Sequence, residues 1–142
     1  MSALLKQIQQ ELVSVSTPEA RSAALQFVPG AIKVYGTKMP YLNEMAKKYK
    51  AGGFDLVNEL WQSGAFEERI LAAKMLREVC KKDPKLTLKL VAGFSKEISD
   101  WAICDTLGMQ SLKPVAKKMQ KEIFNLSGRL IRSKNLWQRR IS

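Results

Sequence analysis

"LWQSGAFEERIL", residues 60–71, returns in altered form as "LIRSKNLWQRRI" at residues 130–141. Leu60 aligns with Leu130, Ser63 with Ser133, Phe66 with Leu136, Arg69 with Arg139 and Leu71 with Ile141. The offset is 70 residues, and half of it lands on "ISDWAICDTLG", residues 98–108, where Phe66 maps to Trp101 and Trp101 to Leu136. A period near 35 residues belongs to two-helix solenoid repeats of the HEAT or tetratricopeptide kind. The register therefore predicts an all-α fold, a solenoid of stacked helix pairs of one of these two kinds.

The rest of the chain reads as helix to the same standard. "SALLKQIQQELVSV" places apolar residues at 4, 5, 8, 12 and 13, a spacing near 3.6. "TPEARSAALQFV" opens with Thr17 as N-cap and Pro18 at the first helical position, and "DPKLTLKLVAGF" repeats the device with Asp83 and Pro84. "MPYLNEMAKKYK" is amphipathic, and "GFDLVNELWQSG" ends on Gly64, a C-terminal cap. "FEERILAAKMLREVCKK" carries Ile70, Leu71, Met75, Leu76 and Val79 on one stripe. "KPVAKKMQKEIFNLSG" completes the series, and "TLKL", though alternating, sits between helix signals and is read as helix. Residues 1–142 are expected to form one HEAT-like domain. The helix that starts near Leu136 is expected to be cut short, with Leu136, Trp137 and Ile141 in need of cover, so the domain reads as an incomplete N-terminal portion of a longer chain.

Composition narrows the chemistry. The chain has 142 residues, 24 Lys+Arg against 13 Asp+Glu, and a net charge of +11. Residues 110–142 hold nine of the bases and one acid, Glu122, for a net of +8. A basic face of this kind fits a polyanion, above all nucleic acid, with Lys113, Lys117, Lys118, Arg132, Lys134 and Arg139 as candidate DNA contacts. There is no histidine, which excludes Ser-His and Cys-His nucleophiles and His-ligated metal. "AGG" at 51–53 lacks the lysine and spacing of a phosphate loop. Cys80 and Cys104 lie in apolar helical patterns and read as buried thiols rather than a disulfide. No apolar run reaches the ~18 residues of a membrane span, and the N-terminus lacks a secretory pattern. A cytoplasmic, monomeric protein is expected, nucleoid-associated if bacterial, with no metal and no cofactor.

The repeat register also singles out a site. Counting by 35, Ile70 maps to Asp105 and Asp105 to Arg140. An acid and a base then stand where the first copy has a core isoleucine. Neighbouring repeats set equivalent positions side by side, so Asp105 and Arg140 would share one concave face with Trp101, one helical turn away. That arrangement fits either a structural ion pair or a functional constellation.

Four segments resemble a known family. "VYGTKMPYLNEMAKKY" (34–49) is similar to the Tyr/Phe-Gly-x-x-x-Pro-x-Leu segment of the DNA alkylation repair proteins, the AlkD-like glycosylases. "LWQSGAFEERILAAKML" (60–76) resembles their Leu-Trp … Glu-x-Arg-x-x-Ala helix, "WAICD" their Trp-x-x-x-Asp, and "NLWQRR" their Leu-Trp-x-x-Arg. The spacing from Asp105 to Arg140 agrees with the family's acid-to-arginine spacing. The family often has a second acid just after the tryptophan, where this chain has Ala102, and its chains continue for several more helices.

The resemblance implies an all-α, HEAT-like helical-repeat solenoid, an α-α superhelix built as a right-handed stack of antiparallel helix pairs. It also implies a DNA glycosylase that releases positively charged alkylated purines, such as 7-methylguanine and 3-methyladenine, from duplex DNA without burying the lesion in a tight pocket. It implies that Trp101 packs on the deoxyribose, Asp105 is the catalytic carboxylate and Arg140 holds a backbone phosphate. Such a leaving group needs no general acid, and a carboxylate stabilises the cationic sugar of the transition state. Two other readings stay open: a non-catalytic relative that binds branched or damaged DNA, and a basic scaffold for RNA or an acidic protein.

Overall fold

The computed structural model describes residues 2–142, and every regular element among them is helical. The helices are α1 (Ala3–Ser14), α2 (Pro18–Phe27), α3 (Met39–Lys48), α4 (Gly53–Ser63), α5 (Phe66–Val79), α6 (Pro84–Phe94), α7 (Trp101–Gln110), α8 (Gln120–Leu130) and α9 (Leu136–Ile141). Phe66, Trp101 and Leu136 are the first residues of α5, α7 and α9. The 35-residue register thus marks three equivalent helix starts, and the fold is an all-α helical repeat.

One layer runs α3, α5, α7, α9, each packed on the next, while α1 and α4 stack behind α3 and α5, and α8 packs on α9. α5 lies at the centre. Eleven of its fourteen residues are buried, so it is enclosed nearly all round rather than along the single stripe its leucines predict. Ala72 and Ala73 are fully buried in it, and α4 and α7 pack on it. Behind it Trp61 stacks on Phe94 (centroids 4.3 Å apart, 7° between planes), and Arg69 lies over the other side of that indole at 4.6 Å. Arg69 also donates to the carbonyls of Trp61 (3.1 Å) and Glu97 (2.9 Å), so one guanidinium joins α4, α5 and the loop after α6.

Caps fall where the sequence placed them. The side chains of Thr17 and Asp83 accept from Ala20 N and Leu86 N, and Gly64 closes α4 at φ +89°. Cys80 and Cys104 are buried free thiols. No described helix is long and apolar enough to cross a membrane.

Two expectations need correction. Lys113–Gly128 is not one helix: Lys113–Val115 forms a short 3₁₀ turn, and α8 starts only at Gln120. The break lets Val115 and Met119 dock on Cys80 in a small satellite cluster. α8 then runs past Gly128 because Leu126 and Leu130, one turn apart, are both buried. The second correction concerns α9. Trp137 and Ile141 pack against the main core, and of the three residues expected to need cover only Leu136 is largely exposed, at 59%.

Candidate functional site

α7 presents the site. Asp100, in extended conformation, caps it by accepting from Ile103 N at 2.8 Å, which fixes the first turn and sets Trp101 at its start. The Trp101 indole N–H donates to the carbonyl of Phe27, the last residue of α2, at 2.9 Å. That carbonyl is one of the four a helix end leaves without a partner. The bond anchors the ring by its polar edge and leaves 40% of the residue exposed.

Asp105 lies one turn further along, and α9 brings Arg140 to it. The guanidinium donates from Nε to Oδ1 at 2.9 Å and from Nη2 to Oδ2 at 2.8 Å, a bidentate pair. Close approach of the two helices makes this possible. A Cβ on Gly108 would lie 2.8 Å from Cγ1 of Ile141, so only glycine lets α9 sit this near α7. The Arg140 hydrogen bonds hold the Asp105 carboxyl below the usual carboxylate range, so it is ionised at neutral pH. Behind it, burial and the Asp105 charge push the Cys104 thiol up to about 11, which keeps that sulfur protonated.

Trp101 and Asp105 open onto a groove of about 390 Å³ between α3, α5 and α7, whose walls include Met39, Arg77, Met109 and Lys113. A second depression of about 400 Å³ shares Met39, Arg77 and Gln110 with it and adds Asn43, Lys47 and Lys74. A third, of about 340 Å³, continues past Lys47 and Arg77 to Lys81. Together they make a basic furrow along α3, α5 and α7.

Of the six basic residues singled out from the sequence, Lys113 lines this furrow. Lys117 instead lines a separate depression on α8 beside the exposed Phe124. Lys118, Arg132 and Lys134 are exposed, and Arg139 donates to the Ser133 carbonyl at 2.8 Å. The furrow's other bases, Lys47, Lys74, Arg77 and Lys81, come from residues 47–81, outside the charge-rich C-terminal segment. A signal existed: Lys-Lys pairs begin at 47, 81 and 117, spacings of 34 and 36 that shadow the repeat.

Fold and groove together define an all-helical repeat protein with an acid, a base and a half-exposed indole in a basic furrow. The chain belongs to the family described as DNA alkylation repair enzyme, whose family model matches residues 8–142. No curated protein and no solved structure gives a significant match. Membership makes DNA the partner and DNA repair the role, and it displaces the reading of an RNA or acidic-protein scaffold.

Proposed function

We propose that the chain is an alkylpurine DNA glycosylase acting on positively charged bases such as 7-methylguanine and 3-methyladenine in duplex DNA. The observation that carries this reading is an ionised carboxylate, Asp105, beside the open face of Trp101 in a basic furrow. In 7-methylguanine the base already bears a positive charge. Breaking the C1′–N9 bond returns the electron pair to the base and leaves it neutral, so no proton need be delivered. The positive charge moves to the sugar, where Asp105 opposes it and the indole face adds a cation–π term of roughly 0.5–2 kcal/mol. Water attacks C1′ and gives up its proton to the carboxylate or to solvent. The products are the free base and an abasic site. Arg140 has a further nitrogen, Nη1, outside the Asp105 pair and available to a backbone phosphate.

A second reading, DNA binding without excision, draws on the same pair, since a bidentate bridge between α7 and α9 also serves as a structural tie. Incubation with a duplex carrying 7-methylguanine separates the two. The expected result is release of free 7-methylguanine and none from undamaged duplex. Binding without release supports the second reading. Duplex affinity is expected to fall steeply with salt, by roughly 0.9 in the log–log slope for each phosphate neutralised. A flat salt response contradicts the furrow as a DNA face.

Trp101→Phe keeps an aromatic face but removes the N–H that Phe27 holds. Single-turnover excision is expected to slow by roughly 2- to 30-fold, the range of the cation–π term, with duplex affinity retained. An unchanged rate shows that ring orientation does not matter.

A further inference from the structure

Lys74 is the buried cation among the described residues, only 6% exposed. Its ammonium donates to Gln110 Oε1 at 3.3 Å, and among the described residues no carboxylate stands within ion-pair distance. Burial, with Arg77 one turn away as a second cause, pushes the Lys74 amine down. Buried charges are ordinarily paired, because desolvation without a counter-ion is costly. This one instead opens onto the depression between α3, α5 and α7, together with Lys47, Arg77 and the Asn43 amide. Glu78 is the acid in that wall, and among the described residues it forms no ion pair with these bases. Lys81 stands in the adjoining depression.

Three cations and an amide converging on one depression match a tetrahedral oxyanion, which accepts hydrogen bonds on several sides. A guanidinium adds a fork suited to two of its oxygens. The depression shares Arg77 and Gln110 with the groove of Trp101 and Asp105. We propose that Lys74, Arg77 and Lys47 form a seat for a phosphate of the nucleic-acid backbone, a fixed distance along the furrow from the reacting sugar. The phosphate chemistry stands on this cluster alone, while the backbone as its source rests on the DNA-binding reading above. The buried Lys74 acts by position: its tethered ammonium gives the strand a register that flexible surface lysines do not.

The test uses Lys74→Met, which keeps the stem and removes the charge, and an undamaged labelled duplex, so that failure of excision has no bearing on it. Lys85→Met, an exposed change of equal charge on α6, is the control. Lys74→Met is expected to melt at or above the parent temperature, since an uncompensated buried charge has gone. Its duplex affinity is expected to fall about tenfold, more than the control's, and its salt slope to lose about 0.9, one phosphate's share. Inorganic phosphate is expected to raise the melting temperature of the parent chain but not of the variant. If the phosphate effect appears while duplex affinity is unchanged, the seat stands with a free phosphate as its occupant and the backbone assignment falls. Arg77→Gln, an exposed position where folding is not at risk, is expected to show the same losses of affinity and slope. Parental affinity and slope in both variants, with no phosphate effect on melting, overturn the proposal, as does a lower melting temperature in Lys74→Met combined with parental affinity in Arg77→Gln.

Discussion

Asp105→Asn is expected to leave melting temperature and duplex affinity near their parental values while excision of 7-methylguanine falls by about 10²–10³-fold, the scale for removing one preorganised electrostatic group. The substitution is nearly isosteric and deletes a negative charge. That charge matters most when the sugar is cationic, so the transition state loses more than the bound ground state does. The stability side is small because the Asp105–Arg140 pair is exposed, at 34% and 47% of the two side chains, and such pairs contribute about 0–1 kcal/mol. The structural alternative reverses both readouts: lower melting temperature with excision intact. Acid titration gives a related check. Arg140 depresses the Asp105 carboxyl, so its share of the rate should persist from neutral pH to below the ordinary carboxylate range and vanish as pH falls through the lowered value. The small stability of the pair follows the same sign, present above the unfolded carboxylate value and lost on acidification. An Asp105→Asn enzyme that still excises at the parental rate sinks the catalytic assignment.

The repeat makes this pair legible in the sequence. Phe66, Trp101 and Leu136 each begin an inner helix, so Ile70, Asp105 and Arg140 hold the same place on successive helices. Stacking then carries the base to the acid. Isoleucine is tolerated in the first copy because α5 is enclosed there, whereas α7 and α9 present that position to solvent. What the sequence hid depends on partners distant in the chain. Charge counting favoured residues 110–142, yet of their bases only Lys113 lines the furrow. Lys47, Lys74, Arg77 and Lys81 come from α3, α5 and the turn after α5, because a stack sets side chains of successive helices side by side regardless of which segment is richest in lysine. "SDW" holds an ordinary cap signal in Asp100, whose side chain accepts from Ile103 N. The acids of "FEER", Glu67 and Glu68, stand in the first turn of α5. Both are buried, since their partners are a loop and a helix thirty or more residues upstream.

One of those acids carries the largest expected effect on stability. Glu67 is 1% exposed, and its carboxylate accepts from the backbone N–H groups of Tyr35 (2.9 Å), Gly36 (2.8 Å) and Thr37 (3.2 Å). Gly36 sits at φ +95°, a conformation that turns consecutive amides toward one point. The same loop is tied elsewhere: Thr37 Oγ1 donates to the Leu12 carbonyl at 3.0 Å, and Thr17 N donates to the Gly36 carbonyl at 3.0 Å. Glu67 therefore joins α1, α2 and α3 to the central helix through one buried anion. Glu67→Gln puts an NH₂ where an acceptor stood, facing at least one of the three amides. Hydrogen bonds to a charged group contribute about 1.5–3 kcal/mol each, and a buried donor left without a partner costs a further 1–3. A loss of about 3–5 kcal/mol is expected, lowering the melting temperature by roughly 10 °C or more for a chain of this size. Below that transition, excision per folded molecule should stay near the parental rate, because the Glu67 carboxylate is bonded to the loop at Tyr35–Thr37 and not to Trp101 or Asp105. Acid-to-amide substitution thus has opposite readouts at two carboxylates 38 residues apart in the sequence: rate without stability at Asp105, stability without rate at Glu67. Burial makes the difference, since water screens the first charge and the protein alone satisfies the second. A Glu67→Gln chain melting within about 2 °C of the parent, where roughly 10 °C is expected, would show that the loop amides find other acceptors and that the buried anion is not what holds it.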